Sequence, residues 1–315
     1  MTDHLPDSLN NDLTNNLTID LKNFKNLNIA NIPTRRTLQL PNIELSYLEW
    51  HSNKNDNPEK KLLLLHGLAD LALVWTSLGD NLASEYHIVA PDMRGHGESS
   101  KPKTGYSFQK TINDLEALMQ HLGWEKAHIL GHSWTGKLST IWAQQHQERF
   151  ISMILVDPIF IMRVPSIFKL SFPILYRTLE TLKGMGPFAS LEESQAQAQT
   201  LGKYSGWSAL QELVWRAGLY KNTEGQWVSK FTIPARNEIF AEVMDVAGLT
   251  SNIEQIPSLF IQSENGVNRM DWQIRPYQKY IKNLRMAKVP GNHWAFLVAP
   301  TEFNQTVSQF LAHNF

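Results

Sequence analysis

The sequence contains no cysteine. That absence removes disulfides, thiolate nucleophiles and cysteine-ligated metals, and leaves serine, histidine and carboxylates for any chemistry. It also lacks an excess of charge: 29 Lys plus Arg stand against 30 Asp plus Glu. No long-range field draws such a chain to nucleic acid or an anionic membrane, so a small molecule is the expected partner. Long apolar runs are missing too. The longest, Leu62 to Trp75, is broken by His66, Gly67 and Asp70, and a bilayer-spanning helix needs about 20 apolar residues. The opening MTDHLPDSLNNDLTNNLTID has no basic start followed by an apolar core, so a cytoplasmic location is the expectation. No pair of the eleven histidines has metal-site spacing within one helix; neither a metal nor another cofactor is expected.

What is present is apolar residue in quantity. With 315 residues and 42% hydrophobic content, the chain can bury a large core in one or two domains. Residues 1–34 read as a polar, Asn-rich extension, although Leu5, Leu9, Leu13, Leu17 and Leu21 would form one drifting helical stripe. From Arg35 the texture changes. RTLQL and IELSYLEW flank the turn residues Pro41 and Asn42 and predict a strand hairpin. Short β-rich runs then follow at 61–65, 87–90, 127–131, 151–157, 258–262 and 284–289, with amphipathic segments such as 111–123 and 137–147 between them. Strand and helix in alternation predict an α/β fold around a mostly parallel sheet with helices on both faces.

The alternation stops at 158–250. Helical patterns and aromatics occur there without a core strand, among them Phe168, Phe172, Tyr176, Trp207, Trp215, Tyr220 and Trp227. We read this stretch as an inserted helical cap over the carboxyl ends of the strands, where open α/β sheets bind ligands. The core is then 35–157 plus 251–315.

The chemistry centres on GHSWTG, residues 131–136. Ser133 follows a strand and precedes a helix, the context of a G-x-S-x-G nucleophile turn. The second glycine arrives one place late, at Gly136, and Thr135 holds its position. LLLLHGLAD puts a loop after a strand that can aim the N–H of Leu68 at the space faced by the N–H of Trp134, an oxyanion hole in outline. VPGNHWAF sets His293 in a loop before the last helix, best placed of the histidines to act as a base. His66, His96 and His132 are expected to be structural.

LLLLHG, HIVAPDMRGHGESSKP, HILGHSWTGK, MILVDP and VPGNHWAF, in this order over roughly 36–315, resemble the α/β-hydrolase superfamily in its capped branch. That branch includes esterases, carbon-carbon bond hydrolases, proline iminopeptidases, epoxide hydrolases and haloalkane dehalogenases. The resemblance implies Ser133 as nucleophile, His293 as base and the N–H groups of Leu68 and Trp134 as oxyanion donors. It speaks against epoxide hydrolase and dehalogenase chemistry, because those branches use an aspartate where this chain has Ser133. The family's usual acid after the seventh strand is missing: SLFIQSENGVN has Gly266 there. Some relatives take the acid from the end of the sixth strand, where this chain has Asp157; Glu264 and Asp271 are the other candidates. The expectation is an acyl-enzyme hydrolase of a small or medium, largely apolar ester. An amidase or iminopeptidase is the alternative, with Glu192, Glu193 and Glu212 available to hold a substrate ammonium, and a ligand-binding protein on the same fold is the third. Oligomeric state is not legible.

Overall fold

The computed structural model describes residues 27–51, 60–165 and 185–312. The leucine stripe of residues 5–21 and the aromatics Phe168, Phe172 and Tyr176 lie outside them.

Eight strands form one sheet in the order β1-β2-β4-β3-β5-β6-β9-β10. They are β1 (Thr34–Gln39), β2 (Glu44–Trp50), β3 (Lys61–Leu65), β4 (His87–Pro91), β5 (Ala127–His132), β6 (Phe150–Val156), β9 (Ser258–Asn265) and β10 (Leu284–Asn292). β1 and β2 are antiparallel, as is β2 with β4, and the remaining neighbours pair parallel. The expected hairpin and all six expected β-rich runs are strands of this sheet.

The central parallel strands β3, β4, β5 and β6 are apolar without alternation because both of their faces are covered. KLLLL shows how: Leu62 and Leu64 face one core, Leu63 and Leu65 the other, and all four are fully buried. Each such leucine contributes about 2 kcal/mol of apolar transfer. On the first face pack α1 (Thr76–Leu82), α8 (Ala295–Val298) and α9 (Pro300–Ala312). On the second pack α2 (Phe108–His121), α3 (Trp134–Gln145) and α7 (Asp271–Tyr280). The helix expected at 111–123 begins earlier, at Phe108, because the Ser107 hydroxyl caps it by accepting from the Lys110 N–H.

Between β6 and β9 the described chain leaves the sheet. It forms α4 (Leu191–Gln199), α5 (Ala209–Ala217), α6 (Ile233–Asp245) and a small hairpin of β7 (Leu219–Lys221) and β8 (Trp227–Ser229). The hairpin was not anticipated; its two strands pair with one another in a separate two-stranded sheet. Here α5 adds Val214 and Trp215 to the first core, and α6 adds Ile239 and Val243 to the second. No helix among the described residues is long and apolar enough to cross a membrane.

Candidate active site

The carboxyl ends of β5, β6 and β10 converge at one edge of the sheet. Ser133 sits at the turn from β5 into α3 with φ 61° and ψ −119°, a left-handed conformation that costs a non-glycine residue on the order of 1–3 kcal/mol. The turn is tight enough to dictate its neighbours. A Cβ at Gly131 would lie 2.6 Å from the Thr135 carbonyl oxygen and 2.7 Å from Ser139 Oγ, so no side chain fits there. Thr135 fits where a glycine is usual because its hydroxyl is used: Oγ1 bonds the carbonyls of Leu65 and His132, each at 2.9 Å. The displaced glycine has its own reason. A Cβ at Gly136 would press on Pro158 Cβ at 2.8 Å, so close approach of the β6 loop moves the need for glycine one place along.

His293 follows the end of β10. Its Nε2 is 2.9 Å from Ser133 Oγ and its Nδ1 is 2.6 Å from Asp157 Oδ2. Asp157 leaves β6 with φ 39° and is fully buried. Besides His293, its carboxylate accepts from the Val267 N–H, the Asn268 N–H and the Asn268 side-chain amide. Burial pushes this carboxyl up, but the hydrogen bond and charge of His293 and the donors at 267 and 268 outweigh it and hold it below the usual carboxylate value. An ionised Asp157 accepts Nδ1–H, which leaves the Nε2 lone pair to accept the hydroxyl of Ser133. Glu264 and Asp271 are both exposed, and neither is bonded to His293.

Leu68 and Trp134 line the same cavity as Ser133 and His293. Among the described residues their N–H groups have no acceptor. The loop carrying Leu68 is pressed onto His132, since a Cβ at Gly67 would lie 2.5 Å from that ring. Beneath it, fully buried Asp70 pairs with the buried Nζ of Lys203 from the segment after α4. Burial raises the Asp70 carboxyl, but Lys203 and His132 draw it well below its usual value; Lys203 is raised, because Asp70 and Tyr204 outweigh burial.

Each of the three other histidines sets at least one ring nitrogen on a partner, as buried polar groups require, while His96 Nε2 and His132 Nδ1 have no hydrogen-bond partner among the described residues. His66 Nε2 accepts the Met93 N–H and its Nδ1 donates to the Gly67 carbonyl. His96 stacks on Phe231 with ring centroids 4.4 Å apart, and its Nδ1 bonds the Arg94 carbonyl. His132 has a more particular place: its Nε2 bonds the backbone carbonyl of His293 at 2.8 Å. Burial, then the nearby His293, push His132 down to about 4, so it is neutral near pH 7 and donates that bond. Sequence reasoning assigned it only a structural role; its position directly before Ser133 is the signal that it could touch the His293 loop. Lys137 was missed altogether. Buried on α3, it donates to the carbonyls of Phe160 and Val243, both at 2.6 Å. Those residues are part of the cavity wall, so Lys137 fixes that wall to the helix that begins beside Ser133. Burial pushes its ammonium down to about 7.

The cavity has a volume of about 570 Å³ and is walled chiefly by Leu68, Ile159, Phe160, Ile239, Phe240 and Val243. Among the described residues no carboxylate lines it; His132, Arg269 and His293 are the ionisable groups there. Glu193 instead accepts from the Ala189 N–H, Glu212 pairs with Arg216, and Glu192 is exposed on α4. Among the described residues one group has the composition of a metal site, Glu49, His51 and His87. It lies at the opposite edge of the sheet.

A family model described as the alpha/beta hydrolase fold matches residues 60–300. The chain is similar to a soluble epoxide hydrolase of Corynebacterium sp. (strain C12), 34% identical over 116 residues, covering 36% of this chain and 38% of that protein. It is also similar to a fluoroacetate dehalogenase of Burkholderia sp, 37% identical over 101 residues, covering 30% and 33%. The chain thus spans only about a third of the length of these relatives. Among solved structures, that of an E-2-(acetamidomethylene)succinate hydrolase superposes with a TM-score of 0.73 at 19% identity, over 89% of this chain and 99% of the other. Likeness at that identity speaks to the fold alone.

Proposed function

The chain belongs to the α/β-hydrolase family, and from that premise we propose that it is a serine hydrolase cleaving a small or medium, largely apolar carboxylic ester through an acyl-enzyme. The observation that carries this reading is the continuous chain from Ser133 Oγ through both nitrogens of His293 to Asp157, at 2.9 and 2.6 Å. His293 Nε2 takes the proton as Oγ attacks the carbonyl carbon. Asp157 holds the imidazole in the tautomer that can do so and stabilises the imidazolium that forms. The N–H groups of Leu68 and Trp134 receive the oxyanion. His293 then protonates the leaving alcohol, and water, deprotonated by the same nitrogen, releases the acid.

Relatives named for epoxide and fluoroacetate cleavage suggest attack at an alkyl carbon. Serine is the wrong nucleophile for that purpose. Attack of Oγ on an epoxide or an alkyl halide would leave an ether, which water does not cleave, whereas an acyl-serine is an ester that it does. The iminopeptidase alternative needs a carboxylate facing the substrate, and the cavity lining has none among the described residues. We assign residues 158–250 the role of a cap that selects the acyl group, since Phe160, Ile239, Phe240 and Val243 wall the cavity.

A panel of p-nitrophenyl esters of increasing chain length, run beside prolyl naphthylamide, tests the reading. Ester turnover that exceeds amide turnover is expected. Faster cleavage of prolyl naphthylamide would replace the esterase by an iminopeptidase, and no turnover of any acyl substrate would leave a binding protein.

A further inference from the structure

Glu49, His51 and His87 bring one carboxylate oxygen and two imidazole nitrogens within 4.8 Å of one another, and we propose that they hold a divalent transition-metal ion of the zinc class. Strand geometry places them. Alternate residues of a strand share a face, so Glu49 and His51 project from the same side of the β2 end. β2 runs antiparallel to β4 with Trp50 opposite Ile88, and one further step of that register sets His51 opposite His87. Their rings lie 4.2 Å apart at 31°.

The donor atoms converge. Nε2 of His51 and Nε2 of His87 are each 2.8 Å from the same Glu49 Oε1. The other carboxylate oxygen is taken by Arg36 Nε at 3.1 Å, which orients Glu49 and leaves Oε1 to the two histidines. His87 is packed edge-on against Trp124 at 4.9 Å, so it is held in place, while the His51 side chain is 47% exposed and leaves the cluster open to solvent. An ion would displace the hydrogens that the two Nε2 atoms share with Oε1, the imidazoles passing to their Nδ1–H tautomers. Two nitrogens and one oxygen with water completing the sphere is a zinc-type donor set, unsuited to the all-oxygen preference of magnesium or calcium. The site lies at the amino end of β4, opposite the edge that carries Ser133. Its ion would clip β2 to β4 and take no part in hydrolysis.

The test is calorimetric titration of tag-free, chelator-treated full-length protein with Zn²⁺, repeated with Mg²⁺ and with His51→Ala and His87→Gln. One equivalent of Zn²⁺ is expected for the wild type and none of Mg²⁺, with affinity about 100-fold weaker in either variant. Because His51 is exposed, its variant keeps the fold. Zn²⁺ should raise the melting temperature of the wild type but not of His51→Ala. Failure of the wild type to take up Zn²⁺, wild-type affinity in either variant, or equal uptake of Mg²⁺ would overturn the assignment.

Discussion

The carboxylate of Asp157 occupies the space that a side chain at Gly266 would need: a Cβ there would overlap Oδ2 and lie 2.8 Å from Oδ1. The end of β6 and the loop after β9 therefore compete for one position beside His293, and Asp157 fills it. Asp157→Asn should lose about 10² to 10⁴ in kcat, while Glu264→Gln and Asp271→Asn lose less than about tenfold. Gly266→Ala should also cripple turnover, because its methyl group pushes the carboxylate from Nδ1. Steady-state kinetics on one ester decide it; a crippled Glu264 or Asp271 variant with an active Asp157→Asn would move the acid to the β9 loop.

The sheet was legible because its central strands are apolar on both faces and punctuated by Gly, Pro and Asp. GHSWTG and VPGNHWAF could be placed on it from their order alone. The identity of the carboxylate nearest His293 could not be fixed, since it depends on whether Asp157 or the β9 loop reaches the ring, a matter of ångströms. Helix α7 was obscured by Pro276 in its interior, which usually argues against a helix. Nothing local in the sequence marks Lys203 or Lys137 as buried; only tertiary contacts more than 100 residues apart in sequence, between Lys203 and Asp70 and between Lys137 and Val243, do so. Ligand spacing along a single helix does not describe Glu49, His51 and His87, which meet across two strands.

Asp70 and Lys203 are 2% and 6% exposed, so removing one partner strands a buried charge. Lys203→Met should cost about 3–5 kcal/mol, and adding Asp70→Asn should recover much of that loss. Urea denaturation of both single variants and the double variant measures it. A Lys203→Met cost under about 1 kcal/mol would show that the pair does not hold the Leu68 loop to the segment after α4.

Buried histidines set the acid limb of stability. Burial, with Lys60 nearby, lowers His128 to about 4, and burial and His293 do the same to His132. The unfolded chain binds these protons at about 6.5, so unfolding takes up protons between those values and stability falls as pH drops from about 6.5 toward 4. The ionised Asp157 adds a loss at still lower pH, below the ordinary carboxylate range. His128 is remote from Ser133 and bonds Ser152 Oγ at 2.7 Å. His128→Gln should flatten the acid limb, with the wild type losing on the order of 1–2 kcal/mol more than the variant between pH 7 and pH 5. Denaturation series at the two pH values check this; parallel curves would remove His128 from the account.

Phe240 stands on α6 in the cavity wall. Phe240→Ala enlarges the space for the acyl group without touching Ser133 or His293. The ranking of ester chain lengths should shift by one or more carbons toward longer acids, while the rate of labelling by a small fluorophosphonate changes less than about threefold. An unchanged ranking would take α6 out of substrate selection.

In the proposed hydrolysis, Ser133 Oγ is the atom that becomes acylated. Peptide mass spectrometry after fluorophosphonate treatment tests that most directly. A single adduct on Ser133, absent from a folded Ser133→Ala variant that has lost ester turnover, is the predicted result. An adduct on another residue, or full ester turnover by Ser133→Ala, would contradict it.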